Sequence, residues 1–109
     1  MGEMEGMELA CFQIISYAGE AKSNYIQAMR CSREGDFEKA EELIKAGKES
    51  YLKAHEAHSK LLAEDSSGEN LGGGLLVVHA EDQLNSADIF QVIAQEHLEL
   101  VRMVRKDHE

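Results

Sequence analysis

The sequence has no proline and no tryptophan. Proline is unfavourable inside helices but common in loops. Its absence from all 109 residues therefore points to long helices joined by few connections. Positive charge is also scarce, with 11 basic against 21 acidic residues and a formal net charge of −10. That balance argues against nucleic acid as a ligand, because Lys and Arg neutralising phosphates drive such binding. No apolar run approaches the ~20 residues that a membrane-spanning helix needs. The opening MGEMEGMEL lacks the basic and apolar regions of a signal peptide. The only cysteines, Cys11 and Cys31, fit no metal-ligand spacing. Both fall in one helical pattern, so no bridge between them is expected. These absences describe a reduced, cytoplasmic protein. At this length it forms one domain over residues 1–109.

What is present is enough for a core: 43% of residues are apolar and 29% charged. The apolar residues fall into three helical stretches. In the first, about residues 7–33, Leu9, Phe12, Ile15, Ala18, Ala21, Tyr25 and Ala28 recur at steps of three and four, one face of a helix. Gly35 then reads as the left-handed stop and Asp36 as the cap of the next helix. In the second, about 37–63, the series Phe37, Ala40, Ile44, Gly47, Tyr51, Ala54, His58, Leu61 is the seam of a left-handed bundle. Gly47 inside a helix costs roughly 1 kcal/mol relative to Ala, so tight packing is expected there. Residues 64–74, EDSSGENLGGG, carry no apolar period and read as a mobile loop. The third stretch runs from about 75 to 105. The expected fold is all-α, an antiparallel three-helix bundle.

The third helix has an unusually wide apolar arc: Leu75, Val78, Ile89, Phe90, Ile93, Leu98, Leu100, Val101 and Val104. A bundle helix needs one apolar stripe towards its neighbours. An arc this wide implies a second contact, and a homo-oligomer is its simplest source. His79, Asp82, Ser86 and His97 interrupt the arc. His79 and Asp82 are three residues apart, hence neighbours on a helix. One reading makes them a satisfied interface pair. The other makes His79 a histidine whose neutral ring nitrogen acts as nucleophile or ligand.

The string LLVVHAEDQL, Leu75 to Leu84, resembles the active-site signature of the lactose/cellobiose/chitobiose-specific enzyme IIA family of the bacterial phosphoenolpyruvate-dependent sugar phosphotransferase system. IISYAGEAKSNYIQAM in the first helix, GDFEKAEELIKAG opening the second, and Ala54–His55 followed by a Leu-Leu end agree with that family in order and spacing. The resemblance runs from about residue 8 to residue 104. It implies a homotrimer of three-helix bundles, with His79 as the phosphorylated nucleophile. Asp82 would lie near the threefold axis, where three copies hold a divalent cation, Mg²⁺. The implied donor is the phosphocarrier HPr. The implied acceptor is a cysteine on the cognate enzyme IIB, during uptake and phosphorylation of a β-disaccharide such as cellobiose, chitobiose or lactose. The chain departs from the family at Glu81, where Gln is common, and at Gln83, where a second His is common. Glu81 adds a negative charge near His79 in sequence.

Imidazole suits a phosphocarrier, being neutral near pH 7 with an ordinary pKa of about 6.5. The other histidines carry less signal. His55 and His58 have metal-like spacing but no assigned third ligand, and structure or solvent contact is their expected role. His97 is expected in a core or interface, and His108 lies in a tail. The alternative class is a non-catalytic helical interaction module, with the polar residues fixing register. A two-component phosphotransfer domain would carry Lys soon after the histidine, and here Ala80, Glu81, Asp82 and Gln83 follow. A di-iron bundle needs Glu-x-x-His pairs, which are absent. No Gly-rich phosphate loop or Ser/His/Asp order supports a free-standing enzyme.

Overall fold

A computed structural model describes residues 6–66 and 74–107 of the chain. It contains three helices, α1 (Gly6–Glu34), α2 (Phe37–Ser66) and α3 (Gly74–Asp107), with no strand among the described residues. The helices lie side by side in a rod of 60 × 24 × 19 Å. The order of cross-helix contacts fixes their directions. His58 meets Glu81 and Glu41 meets Arg102, so α2 and α3 are antiparallel. Lys22 meets Gln83, and the Arg33 carbonyl meets Arg105, so α1 and α3 run the same way. The expected antiparallel three-helix bundle is what forms.

The α1–α2 turn is tight because each residue satisfies an orphan backbone group. Gly35 adopts φ +87°, the left-handed region that glycine enters without a Cβ penalty. Its N–H donates to the Ser32 carbonyl at 3.0 Å, and the Asp36 N–H donates to the Cys31 carbonyl at 2.9 Å. That pairing is a Schellman closure of α1. Asp36 then caps α2, its Oδ1 accepting from the Lys39 N–H at 3.2 Å. The Arg105 guanidinium covers the turn and donates to the Arg33 carbonyl.

The core is built from small side chains. Ala18, Ala21 and Ala28 of α1, Ala40 and Ala54 of α2, and Ala80, Ala87 and Ala94 of α3 are fully buried, alongside Ile14, Tyr25 and Leu98. Alanine lets helices approach closely. The closest approach is at Gly47, where a Cβ would stand 2.4 Å from Cε1 of Tyr25. The expected tight packing at Gly47 is therefore the seat of a buried aromatic ring.

Two expectations need correction. In the first half of α1 the core face is Ala10, Cys11 and Ile14, whereas Leu9 and Phe12 are 44% and 48% exposed. Most of the apolar arc of α3 faces away from the core, on the side left for the expected second contact. Leu75, Val78, Ile89, Ile93, Leu100 and Val104 are exposed on the single chain, and Ala80, Leu84, Ala87, Ala94 and Leu98 take the inner face. Finally, α2 continues to Ser66 and α3 begins at Gly74, so both ends of the expected loop 64–74 are helical. The rest of that loop, residues 67–73, lies outside the described residues, as does His108. Cys11 is buried and Cys31 half-buried, and both are free thiols.

Candidate functional site

The inner face of α3 fixes where its other residues point. At 100° per residue, the exposed residues Leu75, Val78, Asp82, Ile89, Ile93, Leu100 and Val104 form one continuous outer seam. Asp82 lies in that seam, and exposed Glu96 shares the direction of Val78 further along it. His79 is also exposed and lies about 60° from Asp82 around the helix, on the side facing α1. It stands in the second turn of α3, with exposed Leu75 and Val78 beside it. The sequence-predicted pair is thus on the surface. The imidazole is open to a macromolecular partner, and the carboxylate belongs to the adjoining apolar seam.

His79, Gln83, Ser86 and Phe90 follow one another at steps of four, three and four, so they form one stripe along α3. Lys22 of α1 reaches this stripe. Its ammonium donates to Oε1 of Gln83 and, at 3.0 Å, to Oγ of Ser86. It also stands 5.9 Å from the centre of the Phe90 ring. The Ser86 hydroxyl in turn donates to the Gln83 carbonyl at 3.0 Å. Sequence reasoning missed Lys22, because a lone lysine in a helix reads as solvent-facing. Its place directly after core residue Ala21 was the available signal.

Glu81 is not where the sequence suggested. Two residues along a helix are 200° apart, so Glu81 points away from His79. It meets His58 of α2, with Oε2 3.0 Å from Nε2. It also acts on the buried Cys11 thiol, whose pKa is raised first by burial and then by the Glu81 charge. The expectation of an added negative charge beside His79 is corrected accordingly.

His55 packs against the Tyr51 ring at 6.3 Å between centroids, while His58 turns to Glu81, so the two do not converge on a common point. Nowhere among the described residues do three His, Cys, Asp or Glu side chains gather to hold a metal. Asp82 supplies one carboxylate per chain. A cation there would have to be shared between copies, and an exposed carboxylate centred on an apolar seam fits such sharing. His97 is half-buried, and its Nε2 has no hydrogen-bond partner within the described chain. Tyr25 is buried, and its hydroxyl has no hydrogen-bond partner among the described residues. Its pKa is pushed up to about 12, first by burial and then by Tyr51 and Asp88.

A family model described as the PTS system lactose/cellobiose-specific IIA subunit matches residues 9–102. The chain is 29% identical over 96 residues to a lactose-specific EIIA component of Staphylococcus epidermidis, covering 88% of this chain and 92% of that one. It is 31% identical over 98 residues to the lactose-specific EIIA component of Lactococcus lactis subsp. lactis, covering 90% and 93%. Among solved structures, the cellobiose-specific enzyme IIA of Bacillus anthracis superposes with a TM-score of 0.90 at 27% identity, covering 95% of each chain. PtcA from S. mutans superposes at 0.84 with 33% identity, covering 92% of this chain and 98% of that one.

Proposed function

This chain belongs to the lactose/cellobiose-specific IIA family of the sugar phosphotransferase system, and on that premise we propose that it carries a phosphoryl group on His79. The group arrives from phospho-HPr and leaves to a cysteine on the cognate enzyme IIB. The observation that carries the reading is the exposure of His79 on the α1 side of α3, beside the outer apolar seam and not within it. A phosphocarrier needs its nucleophile reachable by two protein partners in turn, and its chemistry is mostly positioning and charge stabilisation. The unprotonated ring nitrogen attacks phosphorus, the donor atom leaves with the electron pair, and the same nitrogen later becomes the leaving group. No helix among the described residues is long and apolar enough to cross a membrane, in keeping with a carrier that works between other proteins and leaves transport to them. The cargo would be a β-disaccharide such as cellobiose, chitobiose or lactose.

The outer seam of α3 supports a homotrimer. Contiguous exposed apolar residues mark protein contacts, and packing α3 seams together would cover Leu75, Val78, Ile89 and Ile93 at once. Asp82 would then come together with its two copies. Like charges held close in a partly dry site repel unless protons or a cation offset them. Mg²⁺, which takes carboxylate oxygens and keeps several waters, would supply that compensation.

Incubation with phosphoenolpyruvate, enzyme I and HPr is expected to place acid-labile phosphate on the protein, and His79→Gln is expected to lose it. Undiminished labelling of H79Q contradicts the assignment. The alternative, a non-catalytic helical interaction module, predicts no label at all and full function in H79A.

A further inference from the structure

We infer that Lys22 is the cation that receives the phosphoryl group on His79. This inference rests on the phosphocarrier reading of that histidine and assigns a new residue to its chemistry. Lys22 is half-buried between α1 and α3. Its hydrogen-bond partners, the Gln83 amide and the Ser86 hydroxyl, are neutral, and so is the Phe90 ring beside it. No carboxylate among the described side chains pairs with Lys22, whereas His58 pairs with Glu81 and Arg102 with Glu41. A cation drawn from water without a counter-charge is unfavourable, and an arriving anion relieves it.

The geometry identifies that anion. Gln83 is one helical turn from His79 on the same stripe, and side chains at that spacing stand about 5–6 Å apart at Cβ. A flexible four-carbon stem lets the ammonium exchange the Gln83 oxygen for a phosphoryl oxygen on His79. Gln83 and Ser86 hold the ammonium ready, and an ion held in place needs little reorganisation when charge develops. During transfer the bond from phosphorus to the donor atom breaks and the bond to the unprotonated nitrogen of His79 forms. The ammonium contacts a non-bridging oxygen throughout, and no proton moves. Gln83 is an uncharged hydrogen-bonding group where the family often has a second histidine. In this chain the charge at that point comes from α1.

The test compares K22Q, K22M and K22R with the parent chain, each loaded from phospho-HPr. Initial loading is expected to fall about tenfold or more in K22Q and K22M and to return to within about threefold in K22R. A ³¹P titration of the loaded proteins adds a readout that packing alone does not move. The phosphoryl group is expected to hold its second proton to higher pH in K22Q than in the parent, because the cation that favours the dianion is gone. In the parent itself, the ¹⁵Nζ resonance of Lys22 should shift on loading, which needs no variant to fold. Equal loading rates and equal ³¹P midpoints in K22Q and parent, or an unmoved Nζ resonance, would overturn the role of Lys22 while leaving His79 phosphorylation intact. A parent chain that takes up no label overturns the phosphocarrier reading, and this inference with it.

Discussion

Glu81 follows His79 by two residues, yet its carboxylate rests on His58 of the neighbouring helix, 3.0 Å from Nε2. The helix turns the two side chains to opposite sides. Loading of His79 in E81Q is therefore expected to stay within about threefold of the parent. The Glu81 side chain is 49% exposed, so the pair with His58 contributes no more than about 1 kcal/mol. Thermal unfolding of E81Q and parent checks the second statement, and single-turnover loading checks the first. A loading rate that rises several-fold in E81Q would mean that the carboxylate reaches the phosphoryl site after all.

The contact between Gly47 and Tyr25 gives a stability prediction. An added Cβ would overlap the aromatic ring, with Cδ1 and Cζ also at 2.8 Å. Overpacking of this kind costs about 1–3 kcal/mol. The better helix propensity of alanine returns roughly 1 kcal/mol of that. G47A should unfold at lower denaturant with an unchanged slope, and a variant as stable as the parent would show that α1 and α2 can move apart freely.

Tyr25 also makes a pH prediction. Its pKa lies at about 12 in the folded chain, against about 10 for an ordinary tyrosine. Between those values the folded state holds a proton that the unfolded state has lost, so stability falls as pH rises. The contribution is intact below about pH 10 and lost by about pH 12, an effect of about 3 kcal/mol. Y25F cannot ionise and should keep this part of the stability in the same window. At neutral pH it should be at least as stable as the parent, since the hydroxyl it removes has no partner among the described residues and a buried unsatisfied group costs stability. Denaturant titrations at several alkaline pH values separate the two. A parallel alkaline loss in Y25F would assign the effect to other groups.

If three copies meet along the outer seam of α3, light scattering should report a trimer, and I89D should shift it towards smaller species without loss of helix. Chelation should lower the melting temperature of the parent and leave D82N unaffected, because the neutral amide has no charge to compensate. Equal sensitivity of the two proteins to a chelator would place any cation elsewhere.

Much of this fold is readable in the sequence because certain residues have one physical use. Gly35 and Asp36 mark a stop and a start, and the structure uses both. The seam from Phe37 to Leu61 alternates strictly, and every residue of it is at least half-buried. The first half of α1 and the arc of α3 were harder to read for a common reason. The core is largely alanine, which hydrophobicity barely distinguishes from its surroundings, whereas the larger Leu9, Phe12, Leu75 and Val78 face outward. Pattern alone cannot tell an inner apolar face from an outer one. At the site, the string around His79 was legible from a single helix. Lys22 and the His58–Glu81 pair were not, since each joins residues far apart in the chain.

The most direct test of the central claim is a two-step relay on the parent chain, with the label mapped by mass spectrometry at neutral pH. Phosphate loaded from phospho-HPr should be found on His79, then pass to the cognate enzyme IIB when that protein is added, and H79Q should neither load nor pass it. Label that maps elsewhere, or that H79Q loads and hands on as well as the parent, would contradict the account.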